Sequence, residues 1–155
     1  MPTWRTYKLA TVPRGLTDEQ ALKVLRGIDR NSNVGRRDYA ICQLLYTYGV
    51  RGGQVRALRY EDIDWAHNRI LFRASKHGKD SLLPLTAQVG ESLLEYLKNA
   101  RPASADPHVF LTSRAPYHAL VDSNSLSAVV ERYLRKADIE VSTEGSNLLL
   151  TFSDE

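Results

Sequence analysis

The stretch YTYGVRGGQVRALRYEDIDW, residues 46–65, contains the change of periodicity that decides the fold predicted for this chain. An apolar helix is predicted to end at Gly49, because glycine readily adopts the left-handed conformation that closes a helix. Arg51 follows, then a second short helix, then a strand-forming segment at 62–65. Two interpretations of Arg51 are open. Its cation interacts with the negative end of the helix dipole, or its planar guanidinium is placed to bind two phosphate oxygens.

The composition is that of one ordinary globular domain. The chain has 155 residues, of which 43% are hydrophobic and 25% charged. No apolar run approaches the roughly 20 residues of a membrane span, and the N-terminus lacks the apolar core of a signal peptide. We therefore expect a cytoplasmic protein without a membrane partner. The single cysteine, Cys42, lies in an apolar helical pattern and is predicted to be a core residue, not a catalytic thiol.

The charges are distributed unevenly along the chain. Residues 1–60 carry eleven Lys and Arg against four Asp and Glu, whereas residues 61–155 carry ten against fourteen. A basic half suits a polyanion such as duplex DNA. The alternative is that these charges are only the solvated faces of helices.

Periodicity predicts five helices after a basic arm. Residues 1–15 show no period and are interpreted as an arm or linker, and residues 16–155 as one domain. The segment 17–20, TDEQ, has the pattern of a capping box. The helix that follows it is predicted to bury Ala21, Leu22, Leu25 and Ile28. The other helices are predicted over residues 36–48, 53–59, 86–99 and 125–137.

Between these helices the period changes to two. Strands are predicted over residues 62–65, 69–74 and 81–85, with Pro84 restricting the third strand to an edge of the sheet. A polar turn, SKHGKD at 75–80, joins the last two strands. The expected fold class is α+β, mainly helical, with a small three-stranded antiparallel sheet.

The order of these pieces resembles the catalytic domain of the tyrosine recombinases, the phage integrase family. That family has a helix, then Gly-Leu-Arg, then a helix and Leu-Arg-x-x-Asp-Ile-Asp, and later a hairpin turn similar to Gly-Lys-Gly followed by Pro-Leu. The resemblance extends over residues 15–150 and is closest to integrase-like recombinases of bacterial mobile elements. It implies that Arg51 clamps the scissile phosphate and that Lys76 is the general acid, with Lys79 as the alternative lysine. The expected DNA-binding residues are Arg51, Lys76, Lys79, Arg36 and Arg37.

The sequence departs from the family pattern in two places. Gln54 replaces the acidic residue that follows the arginine by three positions. The second box, usually Gly-x-His-x-Leu-Arg-His-Thr-Phe, is here GSNLLLTF at 145–152. Aligned on Gly145, Asn147 replaces the histidine and Leu150 the second arginine. Aligned on Thr151 and Phe152, the replacements are Ser146 and Leu149. None of the eight tyrosines lies beyond residue 133, and the family's nucleophilic tyrosine comes later.

The resemblance and these departures together predict a DNA-binding domain of DNA recombination or integration that does not cleave DNA alone. Removing one donor to a transition-state oxyanion typically costs about 100- to 1000-fold in rate, and here several are absent. The alternatives are an active recombinase completed by another subunit, and a protein-interaction or regulatory remnant without DNA binding. The expected partners are duplex DNA and other recombinase subunits. No small-molecule substrate or cofactor is expected. No metal is expected either, because the four histidines have no metal-like spacing.

Overall fold

The computed structural model describes residues 17–74, 78–120 and 123–139. Within these ranges the helices are α1 (Asp18–Arg26), α2 (Asn33–Tyr48), α3 (Gly52–Arg56), α4 (Ala87–Asn99) and α5 (Ser123–Lys136). A 3-10 turn (Tyr60–Asp62) precedes the strands β1 (Ile63–Asp64), β2 (Arg69–Phe72) and β3 (Ser81–Pro84). The predicted arm at 1–15, the second box at 145–152 and the lysine at position 76 lie outside the described residues. None of the described helices is both long and apolar enough to cross a membrane.

Helix α1 begins with the predicted capping box. The Gln20 N–H donates to Thr17 Oγ1 at 3.1 Å, and the Thr17 N–H donates to Gln20 Oε1 at 2.9 Å. The prediction that Leu22 is buried is wrong, because this side chain is 37% exposed and Val24, at 6%, is buried in its place. Positions 21, 24, 25 and 28 form the i, i+3, i+4, i+7 stripe of the helix, and position 22 lies about 100° away from it.

Helix α2 begins earlier than the periodicity predicts and ends where it predicts. Ser32 caps its start, accepting the Gly35 N–H at 2.9 Å. Position 35 requires glycine, because a Cβ there would lie 1.7 Å from the Asp29 carbonyl oxygen. At the other end Gly49 has a φ of 65° and donates its N–H to the Leu45 carbonyl at 2.9 Å. The predicted glycine stop is therefore confirmed.

The core lies between α2 and α4, which run antiparallel. Arg36, near the start of α2, pairs with Glu95 near the end of α4, and the Tyr48 hydroxyl at the end of α2 donates to the Pro84 carbonyl at 2.7 Å. Helix α5 covers a further side of the core. Burying each large apolar side chain contributes about 1.5–3 kcal/mol before entropy is counted. The fully buried members include Ile41, Leu44, Tyr48, Phe72, Val89, Leu93, Phe110 and Leu126.

The sheet is three-stranded and antiparallel in the order β1-β2-β3, as predicted. Ile70 pairs with Ile63 on one side and with Leu83 on the other, so β2 is the central strand. Pro84 lies on the edge strand β3, where its missing N–H costs no ladder bond inside the sheet. The strands are shorter than predicted, and the α+β fold class is confirmed.

The long connection between α4 and α5 is organised by one arginine. The Arg101 guanidinium donates to the carbonyls of Asp106 and His108 at 2.7 Å and of Val109 at 3.1 Å. These bonds satisfy backbone oxygens in a segment without regular structure. They place Val109 and the residues after it against the core, where Val109–Leu111 are fully buried.

Candidate nucleic-acid interface

Arg51 lies at the junction between the buried helix α2 and the short helix α3. Val50 before it and Gly52 after it are buried, whereas Arg51 is exposed. Its backbone N–H donates to Gln54 Oε1 at 3.0 Å. The backbone on both sides is thus fixed by packing and by a hydrogen bond, and the guanidinium lies at the surface.

Gln54 connects this junction to the sheet. While its Oε1 accepts from Arg51, its Nε2 donates to the Arg73 carbonyl at 3.4 Å, just beyond the end of β2. A glutamine has both an acceptor and a donor on one amide, whereas a carboxylate only accepts. The substitution of an acidic residue by Gln54 therefore gives a bridge between two backbone segments. It brings the Arg51 junction to the strand that leads, three residues later, to Lys76.

An ion pair that the sequence interpretation did not identify fixes the same strand end. Arg73 donates from Nε to Asp62 Oδ2 at 3.1 Å and from Nη2 to Asp62 Oδ1 at 2.7 Å. The Asp62 side chain is only 2% exposed and also accepts the Arg59 N–H at 3.0 Å. Hydrogen bonding and the charge of Asp62 raise the pKa of Arg73. The only sequence signal was the acidic segment at 62–64, which precedes a strand that Arg73 follows.

The lysine-bearing turn is closed at its base. The Ala74 N–H donates to Asp80 Oδ1 at 2.7 Å, which joins the residues on the two sides of the turn. Lys79 is exposed. The structure therefore places the Lys79 side of the turn at the surface, next to a strand end held by Gln54 and Asp62.

The structure does not bring Arg36 and Arg37 together with Arg51. They lie near the opposite end of α2, because 12 residues of helix separate Arg36 from Tyr48, a length of about 18 Å, and Arg51 follows three residues later. Arg36 is half-buried and bonds to Asn33 Oδ1 at 3.3 Å. Arg37 is buried, pairs with Asp38 and donates to the Leu111 carbonyl at 3.1 Å. This engagement in the interior makes Arg37 unsuited to the DNA contact predicted from its charge.

Asp38 is the centre of a buried network. It is completely buried and accepts from Arg37 Nε at 3.0 Å, from the Tyr133 hydroxyl at 2.7 Å and from Arg132 at 3.4 Å. Burial first, and then the hydrogen bond to Asp38, raise the pKa of Tyr133. The network joins α2 to α5, the helix that leads toward the second box at 145–152.

Among the described residues, no group of three or more His, Cys, Asp and Glu side chains could hold a metal ion. Two of the histidines pair with a neighbouring carboxylate, His67 with Asp64 at 2.9 Å and His108 with Asp106 at 2.6 Å. Cys42 is buried as predicted, and burial followed by the charge of Asp38 raises the pKa of its thiol.

The helices and the three-stranded antiparallel sheet that hold Arg51 and Lys79 have the fold of tyrosine recombinase catalytic domains. The crystal structure of XerA recombinase superposes with a TM-score of 0.68 at 21% identity, covering 89% of this chain and 48% of that one. XerH site-specific recombinase bound to its difH substrate gives a TM-score of 0.67 at 22% identity, covering 92% of this chain and 42% of that one. At these identities the likeness shows the fold alone.

The chain belongs to the phage integrase family, whose sequence pattern covers residues 14–151. It is 43% identical over 130 residues to the putative integrase/recombinase y4gC of Sinorhizobium fredii, covering 83% of this chain and 66% of that protein. It is 37% identical over 147 residues to y4rA of the same organism, covering 95% of this chain and 36% of that protein. Tyrosine recombinase XerA of Pyrococcus furiosus is 29% identical over 131 residues, covering 84% and 44%. The chain thus spans between about a third and two thirds of the length of these relatives.

Proposed function

We propose that this integrase-type domain binds duplex DNA through a surface formed by Arg51 and the turn that carries Lys76 and Lys79. We also propose that these 155 residues do not cleave DNA by themselves. The observation that carries the proposal is the Gln54 bridge, which joins the Arg51 junction to the strand entering the lysine turn. We infer that the protein acts in the cytoplasm, on DNA of mobile elements.

The chemistry of phosphate recognition supports this surface. A guanidinium donates two parallel hydrogen bonds to phosphate oxygens, and lysine adds a flexible point charge. Arg51 and Lys79 are exposed. The backbone that carries them is held by Gln54, by the Arg73–Asp62 pair and by the Ala74–Asp80 bond, so little order has to be gained on binding.

Arg36 would make a second, more distant contact. It lies about 18 Å along α2 from the end of the helix that precedes Arg51, which corresponds to about five base pairs of duplex at roughly 3.4 Å per step. A surface of that length fits a rod-like polyanion. Arg37 is left out of the proposed contact, because its guanidinium is already paired in the interior.

The lack of cleavage follows from the second box. Transfer of a phosphoryl group from DNA develops charge on non-bridging oxygens, which fixed cationic donors stabilise. Asn147 and Leu150 replace the histidine and the arginine that the family uses there, and the other alignment offers Ser146 and Leu149. Neither set contains a cation.

DNA binding is tested by titrating a labelled 30-base-pair duplex of mixed sequence at several salt concentrations. Each phosphate contact contributes about −0.9 to the slope of log K against log salt. For Arg51→Ala/Lys76→Ala we expect weaker binding and a slope smaller in magnitude by about 2. The matched control is Lys98→Ala/Arg114→Ala, which removes two exposed cations elsewhere and should leave the slope nearly unchanged. Equal slopes for both double variants would contradict the proposed surface.

Cleavage is tested with nicked duplexes that trap a covalent intermediate, followed by denaturing electrophoresis. We expect no protein–DNA adduct from this chain alone. An adduct formed by the chain alone would overturn the proposed inactivity. An adduct formed only when an intact integrase is added would leave the proposal in place and indicate completion by another subunit. Absence of any DNA binding at about 50 mM salt, where such contacts are strong, would instead favour a protein-interaction domain.

A further inference from the structure

A concave surface lies along α2 and does not include Arg51 among its lining residues. We call it the α1–α2 groove, and its volume is about 330 Å³. It runs between α1 on one side and the beginning of α4 on the other. Its lining residues are Leu22, Leu25, Arg26, Arg30, Tyr39, Gln43, Tyr46 and Gln88. None of these described lining residues is acidic.

The rim of the groove presents hydrogen-bond donors. The Arg30 guanidinium lies over the Tyr39 ring, 4.1 Å from its centroid, and one of its nitrogens contacts Glu95 at 3.1 Å. A guanidinium has five N–H donors, so the ion pair of Arg30 with Glu95 leaves further N–H groups to bind a ligand. The Tyr39 hydroxyl accepts from Gln43 Nε2 at 3.1 Å and keeps its own hydrogen for a second partner. Arg26 is exposed on the adjacent helix. This rim is therefore suited to an anionic group.

The floor of the groove is apolar. Leu25 is buried and Tyr46 is half-buried beneath the rim, and Leu22 exposes more than a third of its surface at the edge. Leu22, which is not part of the core, lines this groove instead. An apolar floor under a cationic rim matches a ligand that combines an apolar side chain with carboxylates.

We propose that the α1–α2 groove binds an acidic peptide segment of a partner protein. One aliphatic or aromatic side chain of the peptide packs against Leu22, Leu25 and Tyr46, and neighbouring carboxylates pair with Arg26 and Arg30. The volume lies at the lower end of the range for ligand pockets, about 300–1,000 Å³, which suits one anchoring side chain. Tyrosine and arginine are also the residues most enriched where protein interfaces concentrate their binding energy in a pocket.

The shape and chemistry favour a peptide over DNA as the occupant. Duplex DNA presents one phosphate charge per about 1.7 Å of axis on a convex rod, so it binds best to a row of cations on an open surface. The groove is concave and has only two arginines among its lining residues. A phosphate backbone offers no apolar group to pack against the floor formed by Leu25 and Tyr46. The groove and the proposed DNA contact use different residues, and they meet only at Glu95, which pairs with Arg30 and with Arg36.

The test is a titration of the ¹⁵N-labelled protein, followed by amide chemical shifts. The probe peptide is GDEFEDG with blocked ends. One control peptide, GDEGEDG, lacks the apolar anchor, and the other, GKKFKKG, has the opposite charge. We expect GDEFEDG to shift amides of α1, of α2 from Tyr39 to Tyr46 and of Gln88. Each control peptide should bind at least fivefold more weakly.

Variants of the protein complete the design. Arg26→Glu/Arg30→Glu should weaken GDEFEDG binding by more than tenfold. Arg26→Gln/Arg30→Gln removes the same charges without reversing them, and it should weaken binding by about threefold. This second variant provides the test if the charge reversal disturbs the fold. Lys98→Glu/Arg114→Glu changes the net charge equally at exposed sites outside the groove and should bind normally. Arg51→Ala should also bind the peptide normally, which separates this site from the DNA surface.

Three results would overturn the proposal. The first is no shift of the groove amides at millimolar GDEFEDG. The second is equal binding by the wild type and by both Arg26/Arg30 variants, with circular dichroism showing that all are folded. The third is that a DNA duplex, and not the peptide, shifts the groove amides.

Discussion

The Tyr133 hydroxyl donates a 2.7 Å hydrogen bond to Oδ2 of Asp38, a carboxylate that is completely buried. The two residues are 95 positions apart in the chain and lie on α5 and α2. A buried carboxylate is tolerated only when donors satisfy its oxygens. Tyr133 is one of these donors, so α5 is held in place partly by the need to satisfy Asp38.

Tyr133→Phe removes this donor and keeps the ring. Because a buried charged group then loses a hydrogen bond, we expect the free energy of unfolding to fall by about 1–3 kcal/mol. Urea denaturation followed by circular dichroism measures the difference. The control is Tyr117→Phe at an exposed tyrosine, where a change within about 0.5 kcal/mol is expected. Equal effects of the two substitutions would mean that the Asp38 bond contributes nothing measurable.

The same pair predicts a dependence of stability on alkaline pH. Burial and the hydrogen bond to Asp38 raise the pKa of Tyr133 above the usual value for tyrosine, about 10. The unfolded chain therefore loses this proton first as the pH rises. The stabilisation is complete below about pH 10 and decreases at higher pH.

This dependence is absent from Tyr133→Phe, so the stability difference between wild type and variant should narrow from pH 8 to pH 11. Tyr96, whose pKa burial also raises, is present in both proteins and cancels in the comparison. Urea midpoints measured at the two pH values provide the test. A difference that widens with pH would contradict the assigned direction.

Gln54→Ala should release the Arg51 junction. The Arg51 N–H loses its acceptor, and a bond worth about 0.5–1.5 kcal/mol corresponds to amide exchange faster by about two- to tenfold. Hydrogen exchange followed by NMR measures the rate at this one amide.

A matched control is available at the start of α1. Gln20→Ala removes the equivalent bond between a glutamine side chain and the Thr17 N–H. It should accelerate exchange at Thr17 and leave the Arg51 amide unchanged. Unaltered exchange at Arg51 in Gln54→Ala would mean that packing alone fixes the junction.

Two carboxylates on one guanidinium allow a direct comparison of buried and exposed ion pairs. Arg73 contacts Asp62, whose side chain is 2% exposed, and Glu61, whose side chain is 69% exposed, at 3.0 Å. Asp62→Ala removes the buried partner of a pair whose Arg73 side chain is 39% exposed, and it also leaves the Arg59 N–H without its acceptor, so we expect a loss of about 1–3 kcal/mol.

Glu61→Ala should cost less than about 1 kcal/mol, because water screens an exposed pair. Thermal or urea unfolding of the two variants measures the difference. If Glu61→Ala were as destabilising as Asp62→Ala, burial of Asp62 would not be the source of the stabilisation.

Much of the local structure could be predicted from the sequence, because it depends on near neighbours. Gly49 ends α2 since only its own backbone conformation is involved, and Thr17 and Gln20 form a capping box three residues apart. The alternation at 69–72 and the position of Pro84 predict an antiparallel sheet with β3 at its edge. The order of these elements also carried the resemblance to the integrase family. The match of the family's sequence pattern to residues 14–151 confirms this membership.

The sequence could not predict which charges are buried or which side chains meet. Arg37 and Arg36 are adjacent and identical in type, yet only Arg37 is buried, because Asp38 and the Leu111 carbonyl 74 positions away compensate its charge. The Gln54 bridge to Arg73, the Asp62 pair and the Asp38–Tyr133 bond all join distant segments. Composition and periodicity fix what each segment forms, whereas pairing between segments depends on how the whole core packs. The sequence by itself therefore determined the helices, the sheet and the family, and only the tertiary structure decided how Arg51 is held and where the α1–α2 groove lies.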